Sequence, residues 1–336
     1  MAALVTATPL PIDSALLPQS GGVNFFGGNL LWLNFMGGYY YGPQQRGSDQ
    51  YLLVFGGQDA LTYAEVDHYV AAYKSADAGA TWTLIQGPLY PIRSYGIGPR
   101  FYGQELYPRF MSDGDTIWIL FWNGAGTSLV KFDMATDTFG ATLPGPVIAD
   151  VDNYLICEDP TTGGLIAFYT RDQGGGAVPP AVNARDLFFA RISSVGVLSP
   201  EVQFNDFAAS TFNAFRGAVV DSLGVAHAIY TDGGSDLYRS VSTLDVLGVA
   251  VSIDAINGFT AIGDPVLWLT GLMVPGIGGA TTNSMASGYS DPPGAAFTVK
   301  QVMDIAIADS QPARARAIVR GAAIWMVFDQ YNASPV

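Results

Sequence analysis

Short apolar runs separated by Gly- and Asp-containing turns recur along the whole chain. At Arg109–Phe139, FMS is followed by the turn DGD, the run TIWILFW, a Gly-rich loop, SLVKFD and a closing turn at Thr136–Phe139. Asx and Gly residues between apolar runs are hairpin chemistry, because they accept left-handed backbone and bond their own turn amides. The same plan returns at Arg216–Ile253, with GAVV, DSLG, VAHAIY, TDGGSD, LYRSVS and VLGVAVSI, and more loosely at Asn153–Phe204. Gly28–Gly87 supplies NLLWLNF, QYLLVFGG, HYVAAYKS and TWTLIQG, and Asp264–Met303 supplies DPVLWLTGL, TTNSMASGYS and FTVKQVM. Arg314–Phe328 holds only two strands, RAIV and AAIWMVF.

A repeat of about fifty residues, each unit a small antiparallel sheet, predicts an all-β fold: one β-propeller of about six four-stranded blades. The last unit lacks strands. The N-terminal run ALVTATPL, within Met1–Ser14, is expected to join the C-terminal blade and close the ring, which would remove exposed edges. Runs such as TIWILFW are apolar on both alternating faces, so both faces must be covered, as when sheets stack face to face. No linker or composition break divides the chain. The expectation is one domain over residues 1–336, with residues 1–27 as a closing or docking segment.

One turn is more specific than the rest. Ser75–Trp82 reads SADAGATW, with Ser75, Asp77, Gly79, Thr81 and Trp82 spaced as S-x-D-x-G-x-T-W between HYVAAYK and TLIQ. Asp77 and the hydroxyls of Ser75 and Thr81 are expected to accept bonds from turn amides, Gly79 to adopt a left-handed conformation, and Trp82 to seal the blade. Degenerate versions stand at Asp133–Phe139 and Ser193–Ser199. On this motif the chain resembles the Asp-box (BNR-repeat) sialidase-like β-propellers. The resemblance implies a structural role for the box, at the outer edge of a blade and away from any active site.

Composition narrows the partners. The net charge is -14 with only 15 basic residues, and no cluster of Lys and Arg exists to bind nucleic acid. Anionic membrane surfaces are disfavoured for the same reason, and no apolar run approaches the ~20 residues that span a bilayer. Charged residues make up 13% against 49% hydrophobic, which implies a polar-neutral surface or one covered by a partner. Cys157 is the sole cysteine and His68 and His227 the only histidines, so neither a disulfide, a zinc site nor another cofactor is expected. Met1–Pro18 has no basic stretch, and Pro9, Pro11 and Asp13 interrupt its apolar residues, so a secretory signal is not expected there.

The candidate chemistry is sparse. Arg109, Arg216 and Arg316 each stand just before the first strand of a unit, twelve, fourteen and twelve residues ahead of Phe121, Tyr230 and Phe328. Equivalent places on different blades would point three guanidiniums at one end of the channel, a bidentate anion site. The plainer alternative pairs each with an acid such as Asp113, Asp150 or Asp221. The sialidase resemblance implies an arginine triad, a Tyr–Glu pair and an acid, for which Glu105 with Tyr107 or Tyr102 forms the compact cluster. The family's R-I-P signature is absent, the nearest string being PIRS at Pro91–Ser94. Tyr39, Tyr40 and Tyr41 lie in the Gly-flanked loop Gly37–Tyr51 and are candidates to stack on sugar faces, or else to pack at a strand edge. Trp32, Trp118, Trp122, Trp268 and Trp325 are expected in the core, His227 is expected to pack within its strand, and Asp113–Asp115 and Asp232–Asp236 to be hairpin turns.

Three functions follow. The first is a non-enzymatic binding or assembly propeller, recognising glycan or a partner protein, made in the cytoplasm and belonging to a phage virion as a tail or capsid-decorating component. The others are a sialidase-like glycoside hydrolase acting on anionic sugars, and a structural scaffold subunit.

Overall fold

The computed structural model describes residues 40–57, 65–95, 106–122, 127–146, 154–172, 185–205, 214–232, 235–253, 260–261, 263–277, 284–304, 310–320 and 323–332. The chain divides into two compact units, Met1–Val147 and Ile148–Val336. In the first, β1 (Tyr40–Arg46), β2 (Asp49–Gly57), β3 (Glu65–Ser75) and β4 (Thr83–Tyr95) pair in chain order. A second sheet follows the same order through β5 (Leu106–Phe110), β6 (Thr116–Trp122), β7 (Thr127–Asp133) and β8 (Thr138–Phe139), with short β9 (Leu143–Pro144) also on β7.

The second unit repeats the plan. Its first sheet runs β10 (Tyr154–Asp159), β11 (Gly164–Asp172), β12 (Arg185–Ile192), β13 (Val202–Asn205), and its second β14 (Phe215–Val220), β15 (Ala226–Asp232), β16 (Ser235–Val241), β17 (Val251–Ser252). In the third, β18 (Thr260–Ala261) and β19 (Val266–Trp268) both pair with β20 (Gly271–Ile277), followed by β21 (Ser284–Ser290) and β22 (Thr298–Asp304). Last, β23 (Ser310–Arg320) pairs with β24 (Ala323–Asn332). Every sheet but the two-stranded last is an antiparallel meander, the blade unit of a β-propeller, and the fold is all-β. Among the described residues no helix is long and apolar enough to cross a membrane.

Burial explains why the two-sided apolar runs are strands. Ile117, Trp118, Ile119 and Leu120 of β6 are all buried. Ile117 and Ile119 meet Tyr51, Leu53, Val70 and Ala72 of the preceding sheet. The Tyr51 hydroxyl lies 2.9 Å from the Met134 carbonyl and 2.8 Å from Asp137 Oδ1, and Lys74 reaches Asp137 at 3.0 Å, so both polar tips have partners across this junction. In the second unit the rings of Phe168, Phe189, Phe204, Phe215 and Tyr230 interlock between the first two sheets, at centroid separations of 5.1–6.4 Å. Ile229, Tyr238, Leu272, Val274 and Phe297 do the same between the second and third. In this unit β14 lies beside β10, and β23 beside β19 and β20.

Two expectations change, and two fall on residues outside those described. NLLWLNF lies outside the described residues, and the first strand of the first sheet is Tyr40–Arg46. Gly42 and Pro43 read as a loop, but the strand passes them with a register shift between Tyr41 and Gln44, and an edge strand tolerates the missing Pro amide at a bulge. DPVLWLTGL is not one strand. It bends at Leu269, whose φ of 55° makes the turn between β19 and β20, a conformation the side chain does not advertise. Finally, β23 and β24 pair with each other, while the Met1–Ser14 segment expected to complete them lies outside the described residues.

Candidate functional site

The Ser75–Trp82 turn closes on itself through side chains. Ser75 Oγ accepts the Gly79 amide at 2.8 Å and donates to Asp77 Oδ1 at 2.7 Å. Asp77 accepts the Thr81 amide at 2.8 Å and the Thr81 hydroxyl at 2.7 Å, so the threonine oxygen donates where it was expected to accept. Those bonds, led by the Thr81 hydroxyl, hold the Asp77 carboxyl down at about 2. Gly79 has φ 91° and Ala78 φ 57°; Trp82 is buried against Leu52, Ala71 and Tyr73 and donates its indole N–H to the Gly79 carbonyl at 3.1 Å. These bonds and contacts all lie within the turn and its own blade.

A side-chain oxygen opens the same connection, after the third strand, in all five four-stranded meanders. Asp133 Oδ1 accepts the Ala135 amide at 2.8 Å, and Ser193 Oγ accepts the Val197 amide at 3.0 Å. Two further cases escaped the sequence reading. Ser242 Oγ accepts the Val246 amide at 3.1 Å, and Ser290 opens a turn ending at Phe297. The missed signal at 290–297 is the spacing S-x-x-x-G-x-x-aromatic, hidden because Pro292 and Ala296 stand where Asp77 and Thr81 do.

Register sets how far along its strand each of the three arginines lies. Arg316 pairs with Val327, four pairs from the last pair of its hairpin, Arg320↔Ala323. Arg216 lies in the bulge before Gly217↔Ile229, at nearly the same depth from Val220↔Ala226. Arg109 pairs with Trp118, directly beside the terminal pair Phe110↔Ile117. Equal spacing in sequence hid unequal turns, since residues 111–115 separate β5 from β6 but only 321–322 separate β23 from β24. Arg216 and Arg316 therefore share a depth that Arg109 does not. Arg216 is partly exposed, and its Nε lies 3.6 Å from Oδ1 of the buried Asp236 on β16. The acid beside it is thus Asp236; Asp221 instead accepts the Leu223 and Val225 amides. Asp113 likewise serves its own turn, accepting the Asp115 and Thr116 amides at 2.9 Å.

Of the aromatic candidates, Tyr40 and Tyr41 belong to β1, opposite Val54 and Leu53, so they are strand residues and the reading of a loop is corrected. Tyr39 and Glu105 lie outside the described residues, and Tyr107 pairs with Leu120 in β5. Trp118 is in the core, whereas Trp268 is half-buried, edge-on to Tyr289 at 5.7 Å. His227 is buried, with Nδ1 2.9 Å from the Tyr238 hydroxyl and Nε2 3.4 Å from Asp221. Burial lowers its pKa and pushes Tyr238 up to about 12, which keeps both neutral in a packed network. Among the described residues no group of three or more His, Cys, Asp or Glu could hold a metal ion.

No family model matches the chain, and no curated protein matches it in sequence. Solved structures resemble it at fold level. The fucose-specific lectin from Aleuria aurantia is 14% identical, with 77% of this chain and 76% of that chain covered and a TM-score of 0.45. The Dos1 propeller is 12% identical over 83% of this chain and 62% of that one, with a TM-score of 0.47. The Pyrococcus horikoshii acylaminoacyl peptidase is 12% identical over 86% of this chain, with a TM-score of 0.47, and the chain spans only 42% of that enzyme's length.

Proposed function

We propose that this chain is a non-catalytic binding propeller whose turns are of the Asp-box kind, that it takes a glycan at the end of β14 marked by Arg216, and that it serves in a larger assembly such as a virion. The observation that carries the reading is the Arg216–Asp236 pair: a partly exposed guanidinium on β14 whose Nε lies 3.6 Å from a buried carboxylate oxygen. Donors fixed beside an acceptor match the adjacent hydroxyls of a sugar and grip a sugar carboxylate equally well. The buried carboxylates argue for binding over hydrolysis. Asp159 is held by Arg191 at 3.0 Å and Asp186 accepts from Gln203 at 3.3 Å, so both are already engaged as acceptors within the protein. A glycan array followed by titration tests it. Arg216→Ala should weaken the best glycan by roughly 10- to 100-fold, the value of a charge-assisted hydrogen bond, with Arg216→Lys intermediate. Binding unchanged in Arg216→Ala would refute the site, and turnover of a fluorogenic sialoside by the wild-type chain would replace binding with catalysis.

A further inference from the structure

A guanidinium by itself suits a pair of sugar hydroxyls or a sugar carboxylate; the groups around Arg216 tell these apart. Arg216 escapes the ladder at the bulge of β14, between the pairs Phe215↔Tyr230 and Gly217↔Ile229. Residues paired across antiparallel strands point to the same face of the sheet. Ile229 shares a core with Leu272 and Val274 of the next sheet, so Gly217 faces that sheet as well. Asp236 pairs with Thr231, two residues on from Ile229, and belongs to the same face. The Arg216 Nε lies 3.6 Å from Asp236 Oδ1, so the bulge has turned the guanidinium to this face too.

A second carboxylate stands at the same junction. A Cβ on Gly217 would fall 2.7 Å from the Cα of Asp264, 2.8 Å from its Oδ1 and 2.8 Å from Pro265 Cδ. A residue without a side chain is what lets the segment ahead of β19 close on β14 directly beside Arg216. The three charged side chains differ in exposure. Asp236 is 3% exposed and Arg216 36%, while Asp264 is half-buried. A ligand arriving from solvent therefore meets the guanidinium and Asp264, with Asp236 already covered.

Donors flanked by acceptors select the ligand. A hydroxyl accepts from a guanidinium N–H and donates to a carboxylate oxygen, so neighbouring hydroxyls satisfy both kinds of group. A carboxylate only accepts. It would compete with Asp236 for one guanidinium, and it would bring a third negative charge to a junction holding two against one positive charge. The whole chain, at net charge -14, adds to that repulsion. An ammonium group only donates, and it is repelled by Arg216, the exposed member of its pair. We infer, resting on the reading of Arg216 as a glycan site, that the site takes an uncharged sugar and turns away sugars that bring a carboxylate to the guanidinium.

An array tests this on the whole chain, with neutral glycans printed beside the same glycans carrying a uronate or a sialate. Spots that depend on Arg216, and so are lost in Arg216→Ala, should be the neutral members. Their preference over the carboxylate partners should be at least about tenfold at ~20 mM salt and should narrow at ~0.5 M, where the repulsion is screened. Asp264→Asn should raise the carboxylate members at least about threefold relative to the neutral ones. The wild-type preference and its salt response need no variant, so they decide the matter even where Asp264→Asn fails to fold. Carboxylate members bound through Arg216 as well as the neutral ones, or a preference that neither salt nor Asp264→Asn moves, would overturn the inference and leave the glycan site standing. An array on which no spot depends on Arg216 would remove the site itself, and this selectivity with it.

Discussion

Two turns, Ser75–Trp82 and Ser290–Phe297, share a left-handed glycine but differ in the residue before it, Ala78 with φ 57° in the first and Pro293 in the second, and in their side-chain chemistry. Gly79 and Gly294 share a φ of 91°. In each, the amide two residues before the terminal aromatic bonds back three residues, Ala80 to Asp77 at 3.3 Å and Ala295 to Pro292 at 3.0 Å. Both begin on a buried serine and end on a buried aromatic. The hydroxyls then part ways. Ser75 accepts the Gly79 amide, whereas Ser290 donates toward the Ala295 and Pro292 carbonyls at 2.9 and 3.0 Å. Pro292 offers no carboxylate and the Phe297 ring no N–H. What the two turns share is thus a left-handed glycine between buried ends, and the carboxylate web of the first is reinforcement.

If the buried ends define the turn, removing either aromatic should cost most. Trp82→Ala and Phe297→Ala should each lose about 3–5 kcal/mol in urea unfolding, and a loss under about 1 kcal/mol at Phe297 would break the equivalence. The glycines come next. Gly79→Ala should cost about 1–2 kcal/mol for its left-handed backbone, because the new Cβ meets only the flexible tip of Gln50 at 3.1 Å. Gly294→Ala should cost about 2–3 kcal/mol, since its Cβ meets the ring of Tyr238, itself buried against Phe297. Equal costs would show that packing behind the turn is irrelevant. The serines separate the two more finely. Ser75→Ala strands a turn amide and should lose about 1–2 kcal/mol, while Ser290→Ala leaves two carbonyls, more tolerant of a missing partner, and should lose about 1 kcal/mol or less.

The same contrast shows what the sequence could reveal. The sheet-by-sheet plan was legible because apolar runs and Gly/Asp turns alternate at strand length, and the run Ile117–Leu120 is buried as its two-sided apolar pattern requires. The 75–82 turn was legible because its polar side chains write the motif out. Its partner at 290–297 was not, since a backbone conformation can be held by burial and one glycine without any carboxylate. Register was hidden for a related reason. Whether Arg109 and Arg216 lie at one depth depends on how many turn residues escape pairing, and composition does not count them. The Arg216–Asp236 pair links β14 to β16, which are not neighbours in the sheet, so no short-range spacing foretells it.

The smallest effect isolates the carboxylate itself. Asp77 is held at about 2 by the Thr81 hydroxyl, the Thr81 amide and Ser75, against about 3.9 in an unfolded chain. A depressed folded-state value means the unfolded chain binds the proton more readily, so the contribution is complete above about pH 4 and disappears as pH falls toward 2. The second turn has proline at this place and nothing to titrate. The difference in thermal midpoint between wild type and Asp77→Asn should therefore be constant above about pH 5 and shrink steadily between about pH 4 and 2. Asn keeps an acceptor for the Thr81 amide, so the pH-dependent part reports the charge alone. A difference that stays flat across that window would mean the carboxylate closes the first turn as a neutral acceptor does, and the two turns would then differ in side chains without differing in electrostatics.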